Sequence, residues 1–496
     1  MIWIKRFCLF LGAALLISVI AAALWFGSKI FFYQQQDNET HLLEKQSYLE
    51  KIGKLDRAAG RPNVVFILFD DLGYGDLGFT GSTAIRTPAM DELARDGVNM
   101  TQYYSPAPVC TPARAGLLTG RFPVRAGMPN VVFPSSSPIS NIGKLSGTNN
   151  RFPAEEITIA DALKAAGYAT GMVGKWHLGD QSPSLPNDMG FDSFFGALYS
   201  NDMVPFALYR DRNIEVKAPA DQTRLNEWYG NEAERFIEQN KSRPFFLYFA
   251  HNYPHIPLYT PDDDKGRSSA GVYGDVVEGL DDVVARVTAT LKANGVFENT
   301  ILLISSDNGP WYQGSPGNSR GRKADAYEGG VHVPMIVNWP AKLKGGKTLK
   351  GISMGMDWFP TLLDWLNIPL PTDRIIDGKS LTAMLERAEK DDGLGESLEE
   401  YQNSPHSFLY FFQGEKLQAI RNDRYKYFGK HKFYYGGGNM PVAAGIPKGP
   451  WLFDTVTDHN ESYDVSMTRA ELTQSMQKVL AAKQLEMIEN TRGWLR

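Results

Sequence analysis

Apolar residues recur along the chain in two patterns, and polar residues gather where the shorter pattern stops. Short runs that are apolar at nearly every position fall at Asn63 to Phe69 (NVVFILF), Tyr168 to Val173, Pro244 to Ala250 (PFFLYFA), Thr300 to Ser306 (TILLISS) and Pro334 to Asn338. A strand without a polar face is covered on both sides, as in a sheet held between two layers of helices. Val98 to Tyr104 predicts a further strand. Apolar residues spaced three and four apart predict helices at Pro88 to Asp96, Ile157 to Ala166, Val276 to Ala293 and Met356 to Leu366. Strands separated by helices in this way predict an α/β fold built on one large sheet. Near the end, Ser407 to Phe412 and Leu417 to Tyr427 predict a smaller antiparallel sheet, a loop near Gly436 to Gly449 follows, and Arg469 to Glu489 predicts a closing helix. Pro123 to Pro153, rich in Pro, Ser, Gly and Asn, reads as a long loop over one edge of the sheet.

The first apolar run is of another kind. Phe7 to Gly27 follows Lys5 and Arg6 and reaches the ~20 residues a membrane-spanning helix needs. It predicts a signal anchor in residues 1–30, with the basic flank in the cytoplasm and the rest of the chain exported. A cleaved signal ending at Ala21-Ala22-Ala23 is the alternative. Residues 31–61 are polar, include a short helix from His41 to Leu55, and read as a stalk. The main domain is expected at 62–385. The acidic run from Leu385 to Tyr401 then marks a boundary before a smaller α+β part at 386–496.

Charge and cysteine content narrow the setting. The 51 basic and 56 acidic residues give a net charge of -5, which lacks the basic footprint of a nucleic-acid binder. Cys8 and Cys110 are the only cysteines, and Cys8 lies in the apolar segment, so the exported part has no intrachain disulfide. Disulfide-free export points to a bacterial periplasm, with the membrane as partner of the N-terminal segment.

Candidate chemistry lies just beyond the strands, where open α/β sheets bind ligands. Asp70-Asp71 follow the first strand, Lys175 and His177 the second, His251 and His255 the third, and Asp307-Asn308 the fourth, with Lys323 farther on. Two adjacent acids at a strand end repel each other unless a cation lies between them. Lys175 and His177, two apart in an extended chain, would point the same way. Pro254 and Pro257 oppose a helical zinc pair of His251 and His255. The oxygen donors Asp70, Asp71, Asp307 and Asn308 suit Ca²⁺, with Mg²⁺ the other hard cation the set admits. Cys110 opens CTPARAGLLTGR, in which Pro112 can start a helix and Gly120 can end it. A helix N-terminus favours anions, and Arg114 one turn on adds positive charge. The spacing is not that of a cysteine phosphatase loop, because Gly116 stands where its arginine would. Three carboxylates, one divalent cation, Arg114, Lys175 and Lys323 sum to about +2, enough to hold a singly charged anion.

Cys110-Thr111-Pro112-Ala113-Arg114 followed by Leu118-Thr119-Gly120-Arg121 resembles the signature of the type I sulfatases, with Ala113 where that family most often has serine. Gly174-Lys175-Trp176-His177, Pro254-His255-Ile256-Pro257, Asp307-Asn308-Gly309 and Lys323 with Tyr327-Glu328-Gly329-Gly330 are similar to its other motifs. The resemblance implies the alkaline-phosphatase-like fold with a smaller C-terminal sheet, and hydrolysis of a sulfate monoester. It implies that a formylglycine-generating or other sulfatase-maturation enzyme oxidises Cys110 to formylglycine, whose hydrate attacks sulfur. It further implies Ca²⁺ on Asp70, Asp71, Cys110 as formylglycine, Asp307 and Asn308, and sulfate oxygens on Lys175 and Lys323. Arg114 would orient the hydrate, His177 would take its second proton, and His255 would protonate the leaving alcohol. His251 is expected to be a structural neighbour. A phosphonate or phosphate monoester hydrolase of the same superfamily is the alternative. A non-catalytic binding protein would be expected to have lost some of these residues.

Overall fold

The computed structural model describes residues 2–31, 33, 35–55, 60–146, 149–387, 404–430, 434–435, 442–443 and 449–495. A ten-stranded mixed sheet forms its middle. Five strands at the centre, in the order Thr300–Ser306, Asn63–Phe69, Phe245–Ala250, Ala169–Gly174 and Ser193–Gly196, run parallel to one another. Their parallel course puts all their C-terminal ends on one edge. Antiparallel strands extend the sheet on both sides, Met335–Asn338 at one and Leu208–Arg210 with Asn213–Val216 at the other.

The first strand shows why the runs are apolar throughout. Val64, Phe66 and Leu68 enter one core with Trp176, Phe191 and Trp358. Val65, Ile67 and Phe69 enter the opposite core with Val276, Leu280 and Val287 of the helix Gly271–Ala293. Alternate side chains thus bury against two different helix layers, as the sequence pattern requires.

The C-terminal part is a four-stranded antiparallel sheet, Leu409–Gln413, Lys416–Arg421, Tyr425–Phe428 and Trp451–Asp454. The helix Ala470–Glu489 buries Met476, Leu480 and Met487 in the same third core. The expected acidic boundary, apart from Leu385–Arg387, and most of the expected loop at 436–449 lie outside the described residues.

Several local readings differ from expectation. Val98 to Tyr104 is split into the strands Val98–Met100 and Tyr103–Tyr104. The long loop carries a helix, Pro138–Ser146. The strands Ser193–Gly196, Leu208–Arg210 and Asn213–Val216 and the helix Leu225–Asn240 were not expected.

The polar segment after the first run carries the helix Glu39–Gly53, and this helix is docked on the domain. His41 stacks on Trp494 with ring centroids 3.8 Å apart and lies 2.9 Å from Asp373. Lys45 pairs with Asp161 at 2.9 Å, and Ile52 is buried in the first core. The apolar segment itself is helical, Ile2–Phe31, and its side chains from Phe10 to Ala21 are exposed. Among the described residues no helix is long and apolar enough to cross a membrane, so the fold does not support the spanning anchor expected there.

Candidate active site

The edge that collects the parallel strand ends also collects the expected residues. Phe69 runs into Asp70 and Asp71, Ser306 into Asp307 and Asn308, Gly174 into Lys175, and Ala250 into His251. Backbone bonds continue the sheet register one step past the strands. Asp307 N donates to Phe69 O at 3.0 Å, Lys175 N to Ala250 O at 2.6 Å, and His251 N to Leu68 O at 2.8 Å. Asp71 then turns into the left-handed region, with φ 66°. Its N–H donates to Asp307 Oδ1 at 3.2 Å, and Leu72 N donates to Ser306 Oγ at 2.9 Å. The first and fourth strand ends are thereby locked together.

Cys110 begins the helix Cys110–Thr119, which ends at Gly120 in the left-handed conformation, φ 70°. The anion-favouring end of this helix is aimed at the acids. Cys110 Sγ lies 3.3 Å from Asp70 Oδ1. A carboxylate can only accept, so the thiol keeps its proton. Burial and then the charge of Asp70 push its pKa well up.

Ligand atoms of Asp70, Asp71, Asp307 and Cys110 all lie within 4.8 Å of one another, and all four residues are buried. Three side-chain cations neutralise this set. Lys175 Nζ pairs with Asp70, Lys323 Nζ lies 2.8 Å from Asp71 Oδ1, and Arg114 Nη2 lies 2.9 Å from Asp307 Oδ2. Arg114 is oriented further by donating Nη1 to Lys175 O at 2.7 Å. Burial would raise the Asp70 carboxyl, but Lys175, His255 and Arg114 hold it well below the usual range. Asp307 moves the other way, to about 7, through burial and then the adjacent Asp70 charge. Two acids in one buried spot titrate apart in this manner.

Asn308 bears on whether a hard cation fits. Its Nδ2 donates to Asp71 Oδ1 at 2.7 Å and to Gly309 O at 2.9 Å, while its Oδ1 is buried with no hydrogen-bond partner. An orphaned amide oxygen beside converging carboxylates is a neutral ligand in want of a cation. His255 also converges with Asp70 and Cys110 within 4.8 Å, but the three carboxylates with the Asn308 amide oxygen fit Ca²⁺ or Mg²⁺ better than zinc.

The second strand end departs from the simple reading. Gly174 adopts φ 104°, and a Cβ there would stand 1.9 Å from Ala250 O, so only glycine fits. His177 is itself left-handed at φ 59°. The chain is therefore not extended across Lys175 to His177, and the inference from alternation fails there. The turn is held by His177 N to Leu198 O at 3.0 Å and Thr111 Oγ1 to His177 O at 2.9 Å. His177 Nε2 lies 3.1 Å from Val132 O. A carbonyl only accepts, so Nε2 carries the proton and Nδ1, buried and without a partner, keeps its lone pair. Burial and then the charges of Lys175 and Arg114 depress its pKa well below the ordinary value.

His255 sits at the rim, 7% exposed, with Nδ1 2.5 Å from Ile256 O and Nε2 3.8 Å from Asp71 Oδ2. By the same logic Nδ1 is the donor, and Nε2 faces the acids. His251 turns away. Its Nδ1 accepts from Tyr253 N at 2.9 Å, its ring packs edge-on to Tyr229, and burial lowers its pKa to about 3. Its Nε2 is buried without a hydrogen-bond partner.

Sequence reasoning did not foresee the supports of the site. Val132 comes from the long loop after the cysteine helix, and its contribution is a carbonyl, which no motif reports. Ser105 Oγ donates to Asp307 O, and Asn201 Nδ2 donates to His255 O at 3.3 Å. Glu328, part of the Y-E-G-G string, points elsewhere: Oε2 accepts from Tyr104 OH at 2.6 Å and pairs with Arg421 at 2.6 Å.

A mixed sheet between helices, with a small C-terminal antiparallel sheet, is the alkaline-phosphatase-like fold of sulfatases. Residues 62–368 match the family model described as Sulfatase, and residues 322–484 match that of N-sulphoglucosamine sulphohydrolase, C-terminal. Arylsulfatase A of Homo sapiens is 32% identical over 483 residues, covering 86% of this chain and 87% of its own. Steryl-sulfatase of Rattus norvegicus is 32% identical over 445 residues, covering 72% and 74%. A solved sulfatase of Bacteroides thetaiotaomicron, connected with metabolism of multiple glycosaminoglycans, superposes with TM-score 0.74 at 26% identity over 86% of this chain and 100% of that one. The chain belongs to the sulfatase family and is a sulfuric ester hydrolase.

Proposed function

We propose that the chain hydrolyses a sulfate monoester to an alcohol or phenol and inorganic sulfate, using formylglycine derived from Cys110 and one Ca²⁺. The observation that carries this reading is the convergence of Asp70, Asp71, Asp307 and Cys110 atoms within 4.8 Å beside the orphaned Asn308 Oδ1. When present, hydrated formylglycine supplies an oxygen nucleophile for sulfur, and Ca²⁺, held by Asp70, Asp71, Asp307, Asn308 and that residue, supplies charge for the sulfate oxygens. The buried neutral thiol is a poor nucleophile by itself, which favours modification over direct use.

The chain's own groups divide the remaining work. Lys175 and Lys323 direct ammonium groups into the cluster and would hold sulfate oxygens. Arg114, fixed on Asp307 and the Lys175 carbonyl, orients the attacking group. His177 has its Nδ1 lone pair free to take a proton in a buried pocket. His255 would deliver a proton from Nε2 to the leaving oxygen. Burial and Lys323 lower the pKa of His255, with Asp71 and Asp70 opposing them, and the negative charge of a bound sulfate would raise it for this role. Donors fixed around developing charge contribute much of the catalysis in such chemistry.

We also place the main domain, 62–385, and the smaller C-terminal part, 386–496, outside the cytoplasm. The basic flank and the apolar run Phe7 to Gly27 act as the export signal and as the point of membrane contact. Fractionation with and without an alkaline carbonate wash, together with N-terminal sequencing, tests this placement. A mature chain found in the cytosolic fraction would overturn it.

Peptide mass spectrometry of active enzyme should find an aldehyde at Cys110, and thorough chelation should abolish turnover, with Ca²⁺ restoring it. Full activity in protein bearing only the thiol, or in metal-free protein, contradicts the mechanism. Faster turnover of a phosphonate monoester than of any sulfate ester would favour the alternative hydrolase.

A further inference from the structure

A cavity of about 170 Å³ is lined by residues adjoining Cys110 and Lys323 in the chain. Pro108, Val109, Pro112, Pro129, Val131 and Phe412 form most of its wall. Two of its borders are chain neighbours of reacting groups, and a third adjoins a support of one. Val109 precedes Cys110, Ala324 follows Lys323, and Val131 precedes Val132, whose carbonyl holds His177. Ala324 ties these borders together. It is held left-handed at φ 75°, its N–H donates to Pro108 O at 2.8 Å, and its carbonyl accepts Gln413 Nε2 at 2.6 Å.

The chemistry of the wall is one-sided. Pro108, Pro112, Pro123 and Pro129 have no N–H to offer a hydroxyl. Gln413 is already committed, through Nε2 to Ala324 O and through Oε1 to Gln418. Asn130, at the exposed end, is the remaining polar side chain in the lining. The larger cavity near Tyr74, of about 520 Å³, is lined by Gln102, Glu328, His332 and Arg421 and shows what a polar lining looks like in this chain. An apolar cavity of ~150 Å³ is enough for one benzene ring, and burying several hydroxyls against a wall whose uncommitted polar side chain is Asn130 is unfavourable.

We propose that this cavity is the leaving-group subsite, and that it selects compact apolar alcohols, one aromatic or alicyclic ring, over sulfated sugars and over fused sterol skeletons. The assignment rests on the sulfatase reading above. Its walls are supplied jointly by the segment before the cysteine helix, the loop after it and the C-terminal hairpin, so substrate choice is set by a junction of both parts of the chain.

Matched leaving groups separate the subsite from the chemistry. Cyclohexylmethyl sulfate and N-acetylglucosamine 6-sulfate are both primary alkyl sulfates, and the matured full-length enzyme should favour the first at least tenfold in kcat/KM. Val131→Trp, which fills the cavity, should raise KM for cyclohexylmethyl sulfate at least tenfold while the inhibition constant of inorganic sulfate stays within twofold. Phe412→Ala, which enlarges the cavity, should increase kcat/KM for a sterol sulfate relative to 4-nitrophenyl sulfate. Equal or better turnover of the sugar sulfate, or a Val131→Trp enzyme with unchanged KM, overturns the subsite while leaving the sulfatase reading intact. Failure to release sulfate from every ester overturns that reading itself, and the subsite with it.

Discussion

Two of the buried charge clusters among the described residues resolve the same problem differently. The candidate catalytic cluster sets Asp70, Asp71 and Asp307 against Arg114, Lys175 and Lys323. The second, between the main domain and the C-terminal sheet, sets Glu328 and Glu461 against Arg421 and Lys426. Both hold equal numbers of each sign. In the second cluster the signs interleave: Glu328 lies 2.6 Å from Arg421 and 3.0 Å from Lys426, and Lys426 lies 3.5 Å from Glu461. In the first, the carboxylates converge on one spot with an unpartnered amide oxygen beside them. Burial of charge is thus a poor marker of function in this chain. Convergence of three carboxylates and a thiol on one spot, with an orphaned amide oxygen beside them, is the better one.

The largest expected effect breaks the catalytic cluster without touching the fold. Cys110→Ala should lower kcat/KM on any sulfate ester by at least about 10⁴-fold, as loss of a nucleophile does. The same variant should melt near the parent temperature, since the side chain lost is small. Substantial residual turnover in a folded Cys110→Ala enzyme would remove the nucleophile from this residue.

His255→Ala comes next and depends on the substrate. A general acid contributes about 10²–10⁴-fold, and its worth grows as the departing oxygen becomes more basic. An alkyl sulfate should therefore suffer far more than 4-nitrophenyl sulfate, measured at equal formylglycine content. Equal losses on both would take His255 out of the acid role.

The second cluster should respond in stability instead. Lys426 is fully buried and also lies 4.6 Å over the Phe411 ring. Lys426→Met leaves Glu328 and Glu461 short of a cation, which typically costs about 3–5 kcal/mol. Denaturant midpoints should fall accordingly, while kcat of the remaining folded enzyme is unchanged. A loss of kcat at full stability would show that the two clusters are one functional unit.

The sequence revealed the first cluster far better than the second, for a physical reason. Asp70, Asp71, Lys175, His255, Asp307 and Asn308 follow runs that are apolar on both faces, so the strand and its end are both visible. The cysteine helix was visible because Pro112 and Gly120 mark it. Glu328, Arg421 and Lys426 sit on short or partly polar elements and Glu461 on a loop, and their pairing joins residues roughly 35 to 130 positions apart. No local pattern carries that information. Strands such as Leu208–Arg210 and Asn213–Val216 were missed because exposed edge strands lack the apolar run that marked the central ones. The left-handed turn at His177 escaped because only its neighbour Gly174 hints at it. The spanning helix was read from apolar length, and among the described residues no helix is long and apolar enough to cross a membrane.

The smallest effect concerns the pH response of the second cluster. Burial raises the Glu461 carboxyl from 4.5 to about 7, with Lys426 opposing the shift and Glu328 adding to it. A raised acid binds more protons in the folded state than in the unfolded chain across that window. Stability therefore falls as pH rises from about 4.5 to about 7 and stays lowered above it. Glu461→Gln keeps an oxygen that can accept the Glu328 N–H, now 2.7 Å from Glu461 Oε2, and removes the titration. The variant should resemble the parent near pH 5, where Glu461 is already neutral in the fold, and exceed it by ~1–3 kcal/mol near pH 8. Urea midpoints at the two pH values give the comparison, and equal differences at both would show that Glu461 does not titrate in this range. Because the proposed cation ligands and acid-base histidines lie in the other cluster, kcat should be the same for variant and parent at each pH. A shift in the pH profile of kcat would mean that the interleaved charges reach the site after all.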